Sequence, residues 1–225
     1  MATNRRLVFI NSYIYHVFNR GVERRTIFSN QKDYQRFLNI LNYYFPSKVP
    51  IRFSKFASLP PLLQQDYRKK FPNLPTRIDL LAFCLMPNHF HLLVQQTERS
   101  GVTKFMSDIS NSYARYFNTK YKREGPLFQG PFKAVLIETD EQLMHISRYI
   151  HLNPFVSALV NLKNIHTYPW SSLQNYMGKK TPVTVKSQKT LSYFPSPKAY
   201  MKFVEDQADY AKELHEIKHL THDAV

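Results

Sequence analysis

Three features of this 225-residue sequence predict an α+β fold, a central antiparallel sheet flanked by helices with a C-terminal helical tail. Segment 12–18 alternates as a strand does, and 78–94 gives two apolar runs split by Pro87 and Asn88, the pattern of a hairpin. Segments with the helical period fall between and after them, so strands and helices alternate along the chain. No 20–50-residue repeat and no low-complexity tract is present, which excludes solenoids and disordered scaffolds.

Residues 12–18 (SYIYHVF) alternate β-branched and aromatic residues and read as a strand closed by a turn at Asn19, Arg20 and Gly21. From Gln31 to Phe45 the period changes: Tyr34, Phe37, Leu38, Leu41, Tyr44 and Phe45 fall on one helical face, with Ser29 or Asn30 available as N-cap. Prolines at 46, 50, 60, 61, 72 and 75 break both periods over 46–77, which reads as a basic insertion with one short helix near 62–71. Two apolar runs follow, LLAFCLM and HFHLLV, separated by Pro87 and Asn88. Proline presets the first central turn position and asparagine tolerates the second, so the pair reads as an antiparallel hairpin.

Val102 to Phe117 form a second amphipathic helix, with Val102, Phe105, Met106, Ile109, Tyr113, Tyr116 and Phe117 on one stripe. Phe132 to Glu138 is a strand candidate. Thr139 and Gln142 make a capping box that starts a third helix, expected to stop near Asn153 because Pro154 disfavours the helical conformation of its predecessor. A last helix starts at Pro197 behind the cap Ser196, with Tyr200, Phe203, Val204, Tyr210, Leu214 and Ile217 as its apolar positions.

Thirty-one Lys and Arg against 16 Asp and Glu give a net charge of +15. The last 25 residues hold three lysines against six carboxylates, so residues 1–200 carry +18 and the tail −3. A polyanionic partner follows from such a body, and the 15 Tyr and 17 Phe could stack unpaired bases beside the cations. The single cysteine, Cys84, excludes an internal disulfide framework and a cysteine-based zinc site, and it fits a reducing, cytoplasmic setting. No apolar run approaches the ~18 residues of a membrane span, so no membrane partner is expected.

His89 and His91 lie two apart on the second hairpin strand, so both imidazoles point to one face while Phe90 enters the core. Such a pair can be two legs of a metal site or two packing residues, and spacing leaves both open. On the capping-box helix His145, Tyr149 and Asn153 follow at i, i+4 and i+8. Tyr149 could face the same pocket as Asn153, whose amide oxygen is a hard ligand, or it could pack between Ile146 and Ile150. Period alone does not choose.

The strings YHVFNRG (15–21), CLMPNHFHLLV (84–94), GPLFQGPFK (125–133), SRYIHLNP (147–154) and YPWSSLQNY (168–176) resemble, in order, the IS200-like single-tyrosine HUH transposases. They are most similar to the REP-associated tyrosine transposase branch. The resemblance implies a ferredoxin-like HUH transposase domain over 1–176, with 46–77 inserted and 177–225 as linker and acidic helical tail. It implies an enzyme that cleaves and rejoins single-stranded DNA at REP-like hairpins, a cytoplasmic, nucleoid-associated endonuclease and strand transferase acting as monomer or homodimer. Carried over residue by residue, it puts the HUH pair on His89 and His91, the nucleophile on Tyr149 and the third metal ligand on Asn153.

Elementary chemistry is consistent with each role. A metal beside an anionic phosphodiester neutralises charge that develops on attack, and a phenol can be the nucleophile that keeps the phosphodiester energy in a covalent bond. Two nitrogens and an amide oxygen suit Mg²⁺ or Mn²⁺. The expected DNA contacts are Asn19, Arg20, Arg24, Arg25, Lys133 and Arg148. Two other readings remain: a catalytically silent hairpin binder, and a zinc hydrolase in which His145 or His151 completes the H-x-H. Tyr113 and Tyr116 are rival nucleophiles that read better as core, and Trp170 reads as packing. The chain departs from the family pattern at Val156 and Ser157, at Pro131 and throughout 46–77.

Overall fold

The computed structural model describes residues 7–70 and 74–208. Their centre is a four-stranded sheet in the order β2-β3-β1-β4, antiparallel throughout. The strands are β1 (Ile14–Arg20), β2 (Ile78–Met86), β3 (His89–Gln96) and β4 (Lys133–Ile137). The turn between β2 and β3 is the two residues Pro87 and Asn88, as the sequence predicts. Strand β1 begins and ends two residues later than its sequence pattern suggests. Asn19 and Arg20 therefore belong to the strand and not to a turn, because they pair with Phe90 and His89 of β3.

Alternation divides the sheet into two apolar faces. Tyr15, Val17, Phe83, Leu85, Phe90, Leu92 and Val94 pack on α1 (Gln31–Tyr43) and α4 (Gly101–Lys120). Ile14, Ala82, Cys84, Met86 and Leu93 pack on α5 (Asp140–Val156). Tyr113 is fully buried with its hydroxyl bonded to the Ile27 carbonyl, and Tyr116 donates to Asp33, so both rival tyrosines are framework residues. Trp170 stacks on Tyr34 at 4.6 Å. Its carbonyl accepts from Leu85, and Ser172 donates to Phe83, which covers the outer edge of β2. The opposite edge, β4, is five residues long and carries the exposed Lys133, a combination that discourages pairing with another chain.

The proline-rich segment folds more fully than its composition suggests, into two short helices, α2 (Phe53–Ala57) and α3 (Pro61–Lys70). Phe53 and Phe56 of α2 pack on Tyr43, and the Tyr44 hydroxyl accepts from the Phe53 amide.

Helix α5 starts as expected: Thr139 Oγ1 accepts from the Gln142 amide at 3.2 Å, and the Gln142 side chain accepts from the Glu138 amide at 2.8 Å. It does not stop at Asn153 but runs through Pro154 to Val156. Proline forfeits a single helical bond this close to a terminus. The Asn153 and Pro154 carbonyls still find donors in Ser157 and Leu159. Beyond α6 (Leu173–Tyr176) and α7 (Gln188–Leu191), the chain packs back on the body: Val183 joins the first core and α8 (Pro197–Glu205) buries Tyr200 and Val204 against α5. The expected continuation of that helix through Tyr210, Leu214 and Ile217 lies outside the described residues.

Candidate active site

The end of the β2–β3 hairpin, the end of β1 and the middle of α5 meet on the α5 face of the sheet. Strand register sets what lies there: Arg20 stands opposite His89, Phe18 opposite His91, and on the other side Phe18 and His16 stand opposite Lys133 and Val135. Alternation puts His16, Phe18 and Arg20 on the same face as His89 and His91. Tyr149 arrives from α5, its ring edge-on to His91 at 5.4 Å and to His16 at 6.0 Å between centroids. It is 47% exposed, whereas His91 is 5% exposed. A half-open phenol thus stands over a buried imidazole.

The imidazoles are held by their Nδ1 atoms. His89 Nδ1 lies 2.6 Å from the Asn88 Oδ1, and His91 Nδ1 lies 2.9 Å from His16 Nε2. Asn88 is itself fixed, since its Nδ2 donates to the Arg24 carbonyl at 3.2 Å. Glu23 and Arg24 are both in the left-handed backbone region, at φ 55° and 56°, a conformation that disfavours side chains by about 1 kcal/mol each. The hairpin turn and this strained loop are therefore tied together directly beside His89.

Burial, with His89, His16 and Arg20 adding to it, holds the His91 pKa well below the ordinary imidazole value, and burial lowers that of His16 to about 4. Both rings are neutral near pH 7, so each has one N–H and one lone pair. The His91 Nε2 is buried and has no hydrogen-bond partner. A buried ring nitrogen in that state is costly unless something occupies the space before it. At Asn153, Nδ2 donates to the Tyr149 carbonyl at 2.8 Å, which leaves Oδ1 as the atom able to accept or ligate. Unpartnered His91 Nε2, the oriented His89 ring and the Asn153 oxygen together fit a divalent cation with two nitrogens and one hard oxygen. Burial raises the Tyr149 pKa, while the Asn153 amide and the Arg20 charge oppose that rise.

Other expected residues sit elsewhere. His151 is sealed between the Tyr200 hydroxyl at 2.6 Å and Ser172 Oγ at 2.8 Å, and His145 is paired with Arg148. Among the described residues no three His, Cys, Asp or Glu side chains come together in a metal-holding group, so the zinc set with His145 or His151 is not assembled. Arg148, an expected DNA contact, is turned inward. It is 9% exposed, its guanidinium lies 4.3 Å from the Phe203 ring and it donates to the Phe203 carbonyl, fastening α8 to α5. Asn19 is likewise buried; its Nδ2 donates to the Gly130 carbonyl and its Oδ1 accepts from Arg20. Arg20 and Lys133 are exposed, and Arg25 is ion-paired to Glu23 at 3.1 Å.

Residues 66–153 match the family model described as Transposase IS200 like. That span runs from α3 through the hairpin to Asn153. Over that stretch, less than half of its length, the chain is similar to IS200-like transposases. A solved structure of a REP-associated tyrosine transposase bound to a REP hairpin shares this fold, at TM-score 0.52 and 13% identity, over 83% of this chain and 96% of that one. A candidate transposase from Deinococcus radiodurans R1 aligns at TM-score 0.36 and 15% identity over 67% of this chain and 95% of that one. No curated protein matches by sequence. The matched core excludes β1, so the strand that brings His16 and Arg20 to the site is outside it. His16 is the residue that sequence reasoning passed over. Its signal was the strand period, which already set it on the same face as Arg20.

Proposed function

We propose that this protein cuts and rejoins single-stranded DNA at hairpin sequences, with Tyr149 as the nucleophile and His89, His91 and Asn153 as the ligands of Mg²⁺ or Mn²⁺. The observation that carries the reading is the half-exposed Tyr149 ring edge-on to His91, whose buried Nε2 has no other partner. The fold's likeness to a transposase bound to a REP hairpin points to a hairpin as the DNA partner.

Tyr149 attacks the scissile phosphorus through its hydroxyl oxygen. An O–P bond forms to the tyrosine, the P–O3′ bond breaks, the phenolic proton passes to water at the exposed edge, and the departing 3′ oxygen takes up a proton. A metal in this ligand set supplies charge neutralisation at the phosphate oxygens. The bond energy stays in a 5′-phosphotyrosine, so another 3′-OH can reverse the step and join strands without ATP. Arg20, beside both Tyr149 and His91, favours the phenolate and attracts the phosphate. Lys133 contacts the backbone from β4, and Arg24 and Arg25 do so from the strained loop. Asn19 keeps the end of β1 in place and does not touch DNA. Residues 1–176 form the catalytic unit and 177–225 the tail.

The test is incubation with end-labelled single-stranded hairpins and Mn²⁺ followed by denaturing gels. A labelled covalent adduct supports the reading; tight binding without cutting would leave a silent binder, and cutting without an adduct would point to hydrolysis.

A further inference from the structure

The sheet face away from Tyr149 carries a second charged feature. Between α1, α2 and α4 lies a cavity of about 620 Å³, within the ~300–1,000 Å³ range of small-ligand clefts. Arg36 of α1, Arg52 at the start of α2 and Arg115 of α4 all line it. Because α2 belongs to the proline-rich insertion, the cavity exists only because that insertion folds against the two long helices.

Two other charged groups in the wall are already neutralised. Lys120 is ion-paired to the buried Asp33, and Asp108, the one carboxylate of the lining, is ion-paired to Arg77. Among the described residues Arg36, Arg52 and Arg115 have no carboxylate partner. Arg36 is also held in place, its guanidinium carbon 4.5 Å from the Phe53 ring centroid and 5.0 Å from that of Tyr116, with a buried Nε that bonds to nothing. Three guanidinium groups round one cavity repel each other unless an anion sits between them, and planar N–H forks match phosphate oxygens. Ser112 adds a hydroxyl donor to the same wall.

We propose that this cavity binds phosphate, taken either from the backbone of a nucleic acid strand that continues round the domain or from a free nucleotide. The site needs neither a metal nor Tyr149, so it stands or falls apart from the cleavage chemistry proposed above. It also gives the 46–77 insertion a role, as one wall of an anion site.

The test uses the full chain in EDTA and the double variant Arg52→Gln/Arg115→Gln, both positions being exposed. One arm measures affinity for a fluorescent single-stranded DNA hairpin with a long unpaired tail as salt is raised; the other measures thermal melting with millimolar AMP or inorganic phosphate. A backbone source predicts that the log–log salt slope shrinks by about 1.5 in the double variant, about 0.7–0.9 per lost phosphate contact, and stays at the wild-type value in Arg52→Lys/Arg115→Lys. A free-nucleotide source predicts that AMP raises the wild-type melting temperature but not that of the glutamine variant, with the DNA slope unchanged. A glutamine variant that melts cooperatively and matches wild type in both arms would overturn the proposal. Should the double variant not fold, Arg115→Gln alone carries both arms, with a slope change of about 0.8.

Discussion

His16 Nε2 lies 2.9 Å from His91 Nδ1, with the two rings stacked at 5.1 Å. Both rings being neutral, one nitrogen donates and the other accepts. If His91 is to present a lone pair at Nε2, its proton must sit on Nδ1 and His16 must be the acceptor. His16 therefore fixes which face of His91 is available, as Asn88 does for His89. His16→Phe removes the acceptor, and we expect Mn²⁺ affinity measured by calorimetry to fall by about 10–100-fold. His16→Gln, whose Oε1 can accept, should recover part of it. Wild-type affinity in His16→Phe would refute the assignment, whereas no Mn²⁺ binding by wild type would refute the metal ligands themselves.

Arg148 distinguishes a structural cation from a DNA contact. Its guanidinium covers Phe203 and bonds to that residue's carbonyl, so Arg148→Ala should cost about 1–2 kcal/mol in urea denaturation through the lost cation–π contact and hydrogen bond. Its salt slope for DNA binding should equal that of wild type. Lys133→Ala should show the reverse pattern, with stability intact and the slope reduced by about 0.7–0.9. A reduced slope in Arg148→Ala would return that residue to the DNA interface.

Asp33 predicts the response to acid. Burial alone would raise its pKa, but hydrogen bonds from Lys120, Tyr121, Tyr116 and the Ser29 amide outweigh it and hold the carboxyl below its ordinary value. A depressed folded pKa means that the stabilisation is complete above the unfolded value of about 3.9 and is lost as pH falls from there through the folded value. Asp33→Asn should therefore be less stable by about 2–3 kcal/mol at pH 6. Its urea midpoint should fall less steeply than wild type's between pH 4 and pH 2.5. Parallel curves would show that other carboxylates dominate acid unfolding.

Gly21 closes the YHVFNRG string for a steric reason. A Cβ there would stand 2.3 Å from the Arg25 carbonyl oxygen and 2.8 Å from Ile27 Cγ2. Gly21→Ala must push the 22–25 loop away and with it the Arg24 carbonyl that receives Asn88. Lower melting temperature together with weaker Mn²⁺ binding is expected; a variant that melts and binds like wild type would show that the loop yields without consequence.

The elements were legible because their causes are local. The hairpin was readable from Pro87 and Asn88, and α5 from Thr139 and Gln142. What was not legible depends on long-range contact. Arg148 has a surface residue's composition, and only the return of α8 onto α5 buries it. Asn19 looked like a turn residue until pairing with β3 extended β1. Pro154 was expected to end α5, but near a terminus the lost hydrogen bond is single and its neighbours' carbonyls are satisfied. Within 46–77 the helix expected near 62–71 is α3, whereas α2 escapes prediction because Phe53 and Phe56 gain their stability from Tyr43 and not from their own short segment.

The central claim is that Tyr149 becomes covalently joined to DNA. Mass spectrometry of the peptide containing Tyr149, after reaction with a single-stranded hairpin and Mn²⁺, tests it most directly. The account predicts a 5′-phosphotyrosine on Tyr149, lost in Tyr149→Phe and strongly reduced in His89→Ala. An adduct on any other residue, or one that survives Tyr149→Phe, would contradict it.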